Sequence, residues 1–292
     1  MTPRNFDLQS HSTHSDGALP AREVVEHAAR AGVELLALSD HDTVDGVPEA
    51  IETARHEGIA ITPAAEISAV HGEHEDLHVV GYEIDHGDET LQATLTDWRA
   101  DRSRRIEAMA DRMEELGFAL DRTPLERRKQ AGKPLGRPHL AQALLSHPHN
   151  RVRLTREGIA GMDELFPAYL VPGAIGYVAR SRPTVEEAIE VIHAAGGVAV
   201  WAHPFWDLDD AEQTLATVAH FADRGLDGVE CFYPTHDEAQ TRLLHTTCTD
   251  RGLLITGSAD FHGPEHQRFN RFMAFETYGL RPELGPIGAK LD

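Results

Sequence analysis

The chain has 292 residues, 41% of them apolar, and a formal net charge of −21. That apolar share can close a sizeable core, and no apolar run reaches the roughly 18 residues of a membrane span. So acidic a chain excludes a broad basic face for long nucleic acid, and any nucleotide chemistry must work through bound cations and local arginines. The only cysteines, Cys231 and Cys248, are too few for a disulfide framework and are expected reduced in the core. Residues 1–5 run into a strand without the apolar stretch of a leader, so a cytoplasmic setting is expected.

The first third alternates strand and helix patterns. Phe6-Asp7-Leu8 reads as a short strand and Leu19–Ala31 as a helix, with Pro20 in its first turn and Gly32 as its stop. Leu35–Ser39 is a continuous apolar run, as in a buried parallel strand. A helix over Val47–Glu57 follows, then strands over Ile59–Pro63 and Leu77–Tyr82. From 89 to 169 the pattern is helical throughout, with breaks at Pro124, Gly132-Lys133-Pro134, Pro148 and Gly158, and predicts an all-helical insertion acting as a lid. Residues 1–88 and 170–292 then make up one discontinuous domain. Its second part predicts helix Thr184–Ala195, strand Val198–Ala202, helix Ala211–Arg224, strand Gly228–Cys231, helix Asp237–Arg251 and strand Leu253–Thr256. Repeated strand–helix units of this length predict a parallel sheet closed into a barrel.

Nineteen histidines are present, and several stand beside acids where an apolar run ends. Gln9 and His11 follow the first strand, with Asp16 behind them. Asp40-His41-Asp42 follows the second, Glu66 the third and His203 the strand over 198–202; Asp260 and His262 follow the last, and His78 completes the set. Gln9 and His11, like Asp260 and His262, are two apart and share one side of an extended segment. Imidazole and carboxylate bind Zn, Mn and Fe ions, and in a barrel the carboxyl ends of the strands gather in one place. The pattern predicts one polynuclear metal centre, and such centres mostly hydrolyse phosphate esters or amides. The other histidines, His71, His74 and His220 among them, read as surface or helix-face residues.

The run Asp7-Leu8-Gln9-Ser10-His11-Ser12-Thr13-His14-Ser15-Asp16-Gly17 resembles the first motif of the polymerase-and-histidinol-phosphatase (PHP) superfamily. Ser39–Thr43 resembles its second motif, and Ala202-His203-Pro204 and Gly257–His262 the later ones. The likeness covers nearly the whole chain and is greatest to stand-alone phosphoesterases of nucleoside 3′,5′-bisphosphates, some of which trim short RNA from the 5′ end. It implies a distorted (β/α)7 barrel with up to three divalent ions, Mn²⁺ first and Fe²⁺ or Zn²⁺ as alternatives. The first ion would take Gln9, His11, Glu66 and Asp260; the second Glu66, His78 and His203; the third Asp16, His41 and His262. Gln9 departs from the pattern, which has histidine there. Its neutral amide is a weaker ligand, so the first site binds loosely, uses the amide oxygen, or lacks that bond.

The resemblance also implies substrate contacts. Gly136-Arg137-Pro138-His139 opens a helix and looks like an Arg-x-His element facing the metals, where Arg137 could grip phosphate in a bidentate fashion. Lys133 is a weaker candidate. His236 looks like a substrate-side histidine, and Ala174-Ile175 stands where relatives carry a lysine. Asp40 and His203 are candidates for orienting a ligand or handling a proton, and Trp201 and Trp206 for stacking on a base. The implied reaction is hydrolysis of a terminal phosphate monoester of a nucleoside 3′,5′-bisphosphate by a metal-bridging hydroxide. The alternatives are 5′-3′ trimming of short RNA, another small phosphomonoester such as a histidinol-phosphate-like metabolite, and a non-catalytic metal or nucleotide sensor weakened at Gln9. The expected partner is a small phosphorylated molecule, with no membrane and no long nucleic acid.

Overall fold

The computed structural model describes residues 5–133, 135–180 and 182–291, with side chains described to residue 288. The expectation placed on residues 1–4 and the break at Pro134 lie outside the described residues. Strand and helix alternate through β1 (Phe6–Asp7), α1 (Ala21–Arg30), β2 (Leu35–Leu38), α2 (Val47–Glu57), β3 (Ala60–His71) and β4 (His74–Tyr82). Helices follow: α3 (Glu89–Glu115), α4 (Thr123–Gln130), α5 (Arg137–Ser146), α6 (Arg151–Arg156) and α7 (Met162–Leu165). Alternation returns with α8 (Val185–Ala194), β5 (Val198–Trp201), α9 (Pro204–Asp207), α10 (Ala211–Ala222), β6 (Gly228–Phe232), α11 (Glu238–Arg251) and β7 (Leu254–Gly257).

Local chemistry explains where the barrel helices begin and end. Asp210, Thr184 and Asp237 accept the free N–H groups of Gln213, Glu187 and Gln240 at the starts of α10, α8 and α11. Gly252 stops α11 at a φ of 68°, a left-handed turn that glycine enters without cost. The apolar stripe of α1, Ala21, Val24, Val25 and Ala28, packs with Leu36 and Leu38 of β2 and with Phe261.

One seven-stranded sheet runs in the order β1 to β7. Neighbours are parallel from β1 to β3 and from β5 to β7, but β4 is antiparallel to both β3 and β5. This corrects the expectation of a wholly parallel sheet. His71 lies opposite His74, so Gly72 and Glu73 alone connect β3 to β4. A two-residue link reverses the chain, whereas a parallel return needs a crossover of about a dozen residues or more. The ends of the sheet meet through Leu8 N to Gly257 O (3.2 Å), His11 N to Phe261 O (2.8 Å) and Phe261 N to Gln9 O (3.3 Å). The result is a nearly closed barrel.

The chain divides into two compact units, residues 1–95 with 183–292, and residues 96–182, with the first boundary inside α3. The second unit is helical and has its own apolar core, including Ile106, Met109, Met113, Phe118, Leu140, Leu144 and Leu165.

Candidate metal centre

Each candidate in the barrel is fixed by backbone before its side chain acts. The extended segment Leu8–His11 is held by the bonds to 257 and 261, and both Gln9 and His11 are fully buried. The loop after it folds onto Asp40. One Asp40 oxygen accepts from Ser12 N (2.7 Å) and Ser15 Oγ (2.6 Å), the other from Ser12 Oγ (2.6 Å). Gly17 completes this turn, because a Cβ there would collide with the His11 carbonyl. On the next strand His41 pairs with Glu66 in a parallel bridge, and Asp42 N donates to Glu66 O at 2.8 Å. Glu66 and His78 lie within β3 and β4 rather than beyond strand ends. Asp42, His203 and Asp260 hold φ angles of 53°, 33° and 55°. Side chains other than glycine's adopt that region at a cost, and its recurrence here marks the cluster as a strained site.

The side chains converge on Glu66. Its Oε1 lies 2.8 Å from His78 Nδ1 and 3.3 Å from His203 Nε2, while its Oε2 lies 3.1 Å from His11 Nε2 and 3.2 Å from His41 Nδ1. His11 Nε2 is also 3.0 Å from Asp260 Oδ1. At the rim, Asp16 stands 3.5 Å from both His41 and His262 and is 39% exposed. All the positions predicted from sequence as ligands, Gln9, His11, Asp16, His41, Glu66, His78, His203, Asp260 and His262, therefore meet in one cluster.

Gln9 has a specific place. Its Nε2 donates to Glu66 Oε1 (3.0 Å) and Asp260 Oδ1 (3.2 Å), and its Oε1 is buried without a hydrogen-bond partner. Turning the amide over would exchange these atoms and bring Oε1 against two carboxylates, which only a cation would make favourable. His11 Nε2 and His41 Nδ1 are buried against Glu66 Oε2 at 3.1–3.2 Å without hydrogen-bond geometry. Leaving polar atoms so costs about 1–3 kcal/mol each unless something else binds them. Five imidazoles and three carboxylates in one cluster fit divalent ions of the Mn, Fe or Zn type, and Gln9 joins them as a ligand only with its amide turned over.

Electrostatics shows how strongly these groups hold one another. Burial raises the cost of a charged Glu66, yet the surrounding imidazoles of His41, His78, His11 and His203 overcome it and hold the carboxyl well below its ordinary range. Burial likewise opposes a charged His11, but contacts with Asp260 and Glu66 outweigh it and hold the imidazole well above its usual value. Burial wins at His41, which is lowered to about 4 despite Glu66 and Asp16, and so keeps a lone pair at neutral pH.

A supporting layer escaped the sequence reading. Tyr233 Oη donates to Asp260 Oδ2 at 2.8 Å. Glu230 accepts from His203 N at 2.9 Å. Burial pushes its carboxyl up to about 8. His236 is buried, its Nδ1 lies 3.1 Å from Cys231 O, and its Nε2 has no partner. Trp201 is fully buried in the core and presents no face to a base, whereas Trp206 is 48% exposed.

Arg137 and His139 belong to the helical unit. Arg137 opens α5, donates to Leu170 O at 3.1 Å and lies over the Phe166 ring; His139 Nδ1 accepts from Gly136 N at 3.1 Å. Lys133 and Ala174 are half-buried and Ile175 is exposed.

Comparison with known proteins adds a second line. A PHP domain model matches residues 7–95. The chain is 34% identical to a 3′,5′-nucleoside bisphosphate phosphatase of Chromobacterium violaceum, over 89% of this chain and 88% of that protein. It is 34% identical to the 5′-3′ exoribonuclease Rnm of Salmonella typhimurium, over 89% and 85%. Among solved structures, an amidohydrolase from Chromobacterium violaceum with bound sulfate and no metal superposes with a TM-score of 0.77 at 30% identity, covering 98% of this chain and 95% of that one.

Proposed function

The chain belongs to the PHP family, and from that premise we propose that it is a metal-dependent phosphoesterase acting on a terminal phosphate monoester of a nucleoside 3′,5′-bisphosphate. The observation that carries this reading is the buried convergence of four imidazoles on Glu66, with Asp260, His262 and Asp16 beside them. Gln9, His11, Glu66 and Asp260 would hold one ion, Glu66, His78 and His203 a second, and Asp16, His41 and His262 a third. Mn²⁺ suits this mixed nitrogen and oxygen set best, with Fe²⁺ or Zn²⁺ as alternatives. Such ions, when bound, lower the pKa of water and neutralise charge that builds on the phosphoryl oxygens.

The remaining residues position and neutralise. Tyr233 holds Asp260 from behind, and the Glu230 carboxyl holds the backbone of His203. Asp40 orders the loop that carries Asp16, a positioning role, since its oxygens already accept three short bonds from that loop. Burial lowers His236 to about 4, so at neutral pH its ring is uncharged; with Nδ1–H donating to Cys231 O, the unpartnered Nε2 keeps a lone pair suited to accept a hydrogen bond from a substrate hydroxyl. We assign Arg137 and His139, on the helical insertion over 89–169, to the second phosphate, by the bidentate geometry a guanidinium offers. The net charge of −21 favours a small substrate over long nucleic acid.

The related exoribonuclease, at equal identity, supports a second reading, 5′-3′ trimming of short RNA. No described helix is long and apolar enough to cross a membrane. Cys231 and Cys248 are free thiols with sulfurs 3.8 Å apart, which agrees with a reducing, cytoplasmic setting as part of the proposal. A phosphate-release screen with Mn²⁺ over nucleoside 3′,5′-bisphosphates, short 5′-phosphorylated RNA and sugar phosphates tests the assignment. The bisphosphate should give the highest kcat/KM. A preference for RNA would move the assignment to trimming, and no turnover with metal bound would leave a sensor.

A further inference from the structure

Outside the centre just described, β3, α8 and α10 bring a second set of ligand-type side chains together. His71 is the last residue of β3, Glu186 lies in the first turn of α8, and His220 in the last turn of α10. A donor atom from each lies within 4.8 Å of the others. The His71 and His220 rings are 4.7 Å apart, and His220 Nε2 is 3.4 Å from Glu186 Oε1. We propose that His71, Glu186 and His220 form a second divalent-metal site, of the Zn²⁺ class, on the wall of the barrel and separate from the catalytic centre.

Two observations carry this inference. The first is the donor set: two imidazoles and one carboxylate is a zinc pattern, which water completes. The second is construction. The register of β3 against β4 shifts between Ala69 and His71, which re-aims the end of the strand. Val70 bridges to Thr184, setting the start of α8 beside that end. The His71 ring packs edge-on against Phe221, which limits its rotation. All three ligand side chains are half-buried, so they are held in place yet reachable from solvent.

Arg224 is the competitor. Its Nε lies 3.2 Å from Glu186 Oε1 and its terminal nitrogen 3.1 Å from His220 Nδ1. A guanidinium thus neutralises the carboxylate that a metal would bind, and a divalent ion must displace it. Its side chain is 43% exposed and can swing outward. The site is independent of the catalytic one: His71 is five residues beyond Glu66 on β3, on the order of 16 Å along the strand. A bound ion would tie a strand and two helices together and stabilise the barrel by mass action.

The test uses the metal-stripped full chain, titrated with Zn²⁺ against a chromophoric chelator, with metal counted after dialysis. His220→Ala and Glu186→Gln should each lose one bound Zn²⁺ per chain while phosphate release with Mn²⁺ stays unchanged. Arg224→Ala should bind that ion about tenfold more tightly, because the competing cation is gone. The same zinc count in wild type, His220→Ala and Glu186→Gln would overturn the proposal. So would zinc held only at millimolar concentration, or no tightening in Arg224→Ala.

Discussion

The metal centre of the barrel and Asn150 of the helical unit treat buried polar groups in opposite ways. In the helical unit, Asn150 is 3% exposed and spends its side chain on backbone, accepting from Ala119 N and donating to Ala119 O and Leu144 O at 2.8–2.9 Å. At the surface of that unit Arg122 pairs with Asp111 and Glu114. In the barrel, Gln9, His11, His41 and Glu66 are as deeply buried but keep donor atoms without hydrogen bonds, beside three residues at strained positive φ. Satisfied burial serves stability, and unsatisfied burial at strained positions is retained for what binds there. The two units should therefore fail differently when cut.

Glu66→Gln should give the largest effect. Removing the charge that four imidazoles face should lower kcat/KM for phosphate release at least about 10³-fold and reduce the bound metal. Asn150→Ala should do the reverse: a loss of about 3 kcal/mol in denaturant unfolding, with kcat retained in the folded fraction. If Asn150→Ala damaged kcat as Glu66→Gln does, the contrast between the units would collapse.

His236 sharpens the comparison through pH. Burial lowers its pKa from the ordinary 6.5 to about 4, so between those values the unfolded chain binds a proton that the folded chain does not. Wild-type stability should then fall as pH drops from 6.5 towards 4, by up to about 3 kcal/mol at the acid end. His236→Gln should lose that part of the slope, read from unfolding midpoints across the range; an unaltered slope would count against the buried neutral ring. Arg137→Ala is the exception assigned to the helical unit. It should lower kcat/KM for a nucleoside bisphosphate about 30-fold with little change in unfolding, as for one charge-assisted contact. A purely structural role would instead move stability and leave kcat/KM alone.

Much of this was legible in the sequence, for physical reasons that also mark where legibility ended. Apolar runs and glycine stops placed α2 at Val47–Glu57, and Leu35–Leu38 within the strand expected there. Acids and histidines beside those runs stand out because a barrel needs no such residues for packing. The direction of β4 did not, since Gly72-Glu73 is a short turn hidden in a polar stretch. Tyr233 and Glu230 were missed as supports because a hydrogen bond to Asp260 or to the backbone of His203 depends on which strands end together. The His71, Glu186 and His220 group draws on positions 149 residues apart from first to last, and each alone reads as surface.

The most direct test of a polynuclear phosphoesterase centre is a joint titration of bound Mn²⁺ and phosphate release in the metal-stripped chain. It is best done with His220→Ala, so that the wall cluster contributes no ion. Two or three Mn²⁺ should bind per chain, with turnover of a nucleoside 3′,5′-bisphosphate rising as the second ion binds. Fewer than two ions at saturation, or turnover undiminished in chelator, would contradict the account.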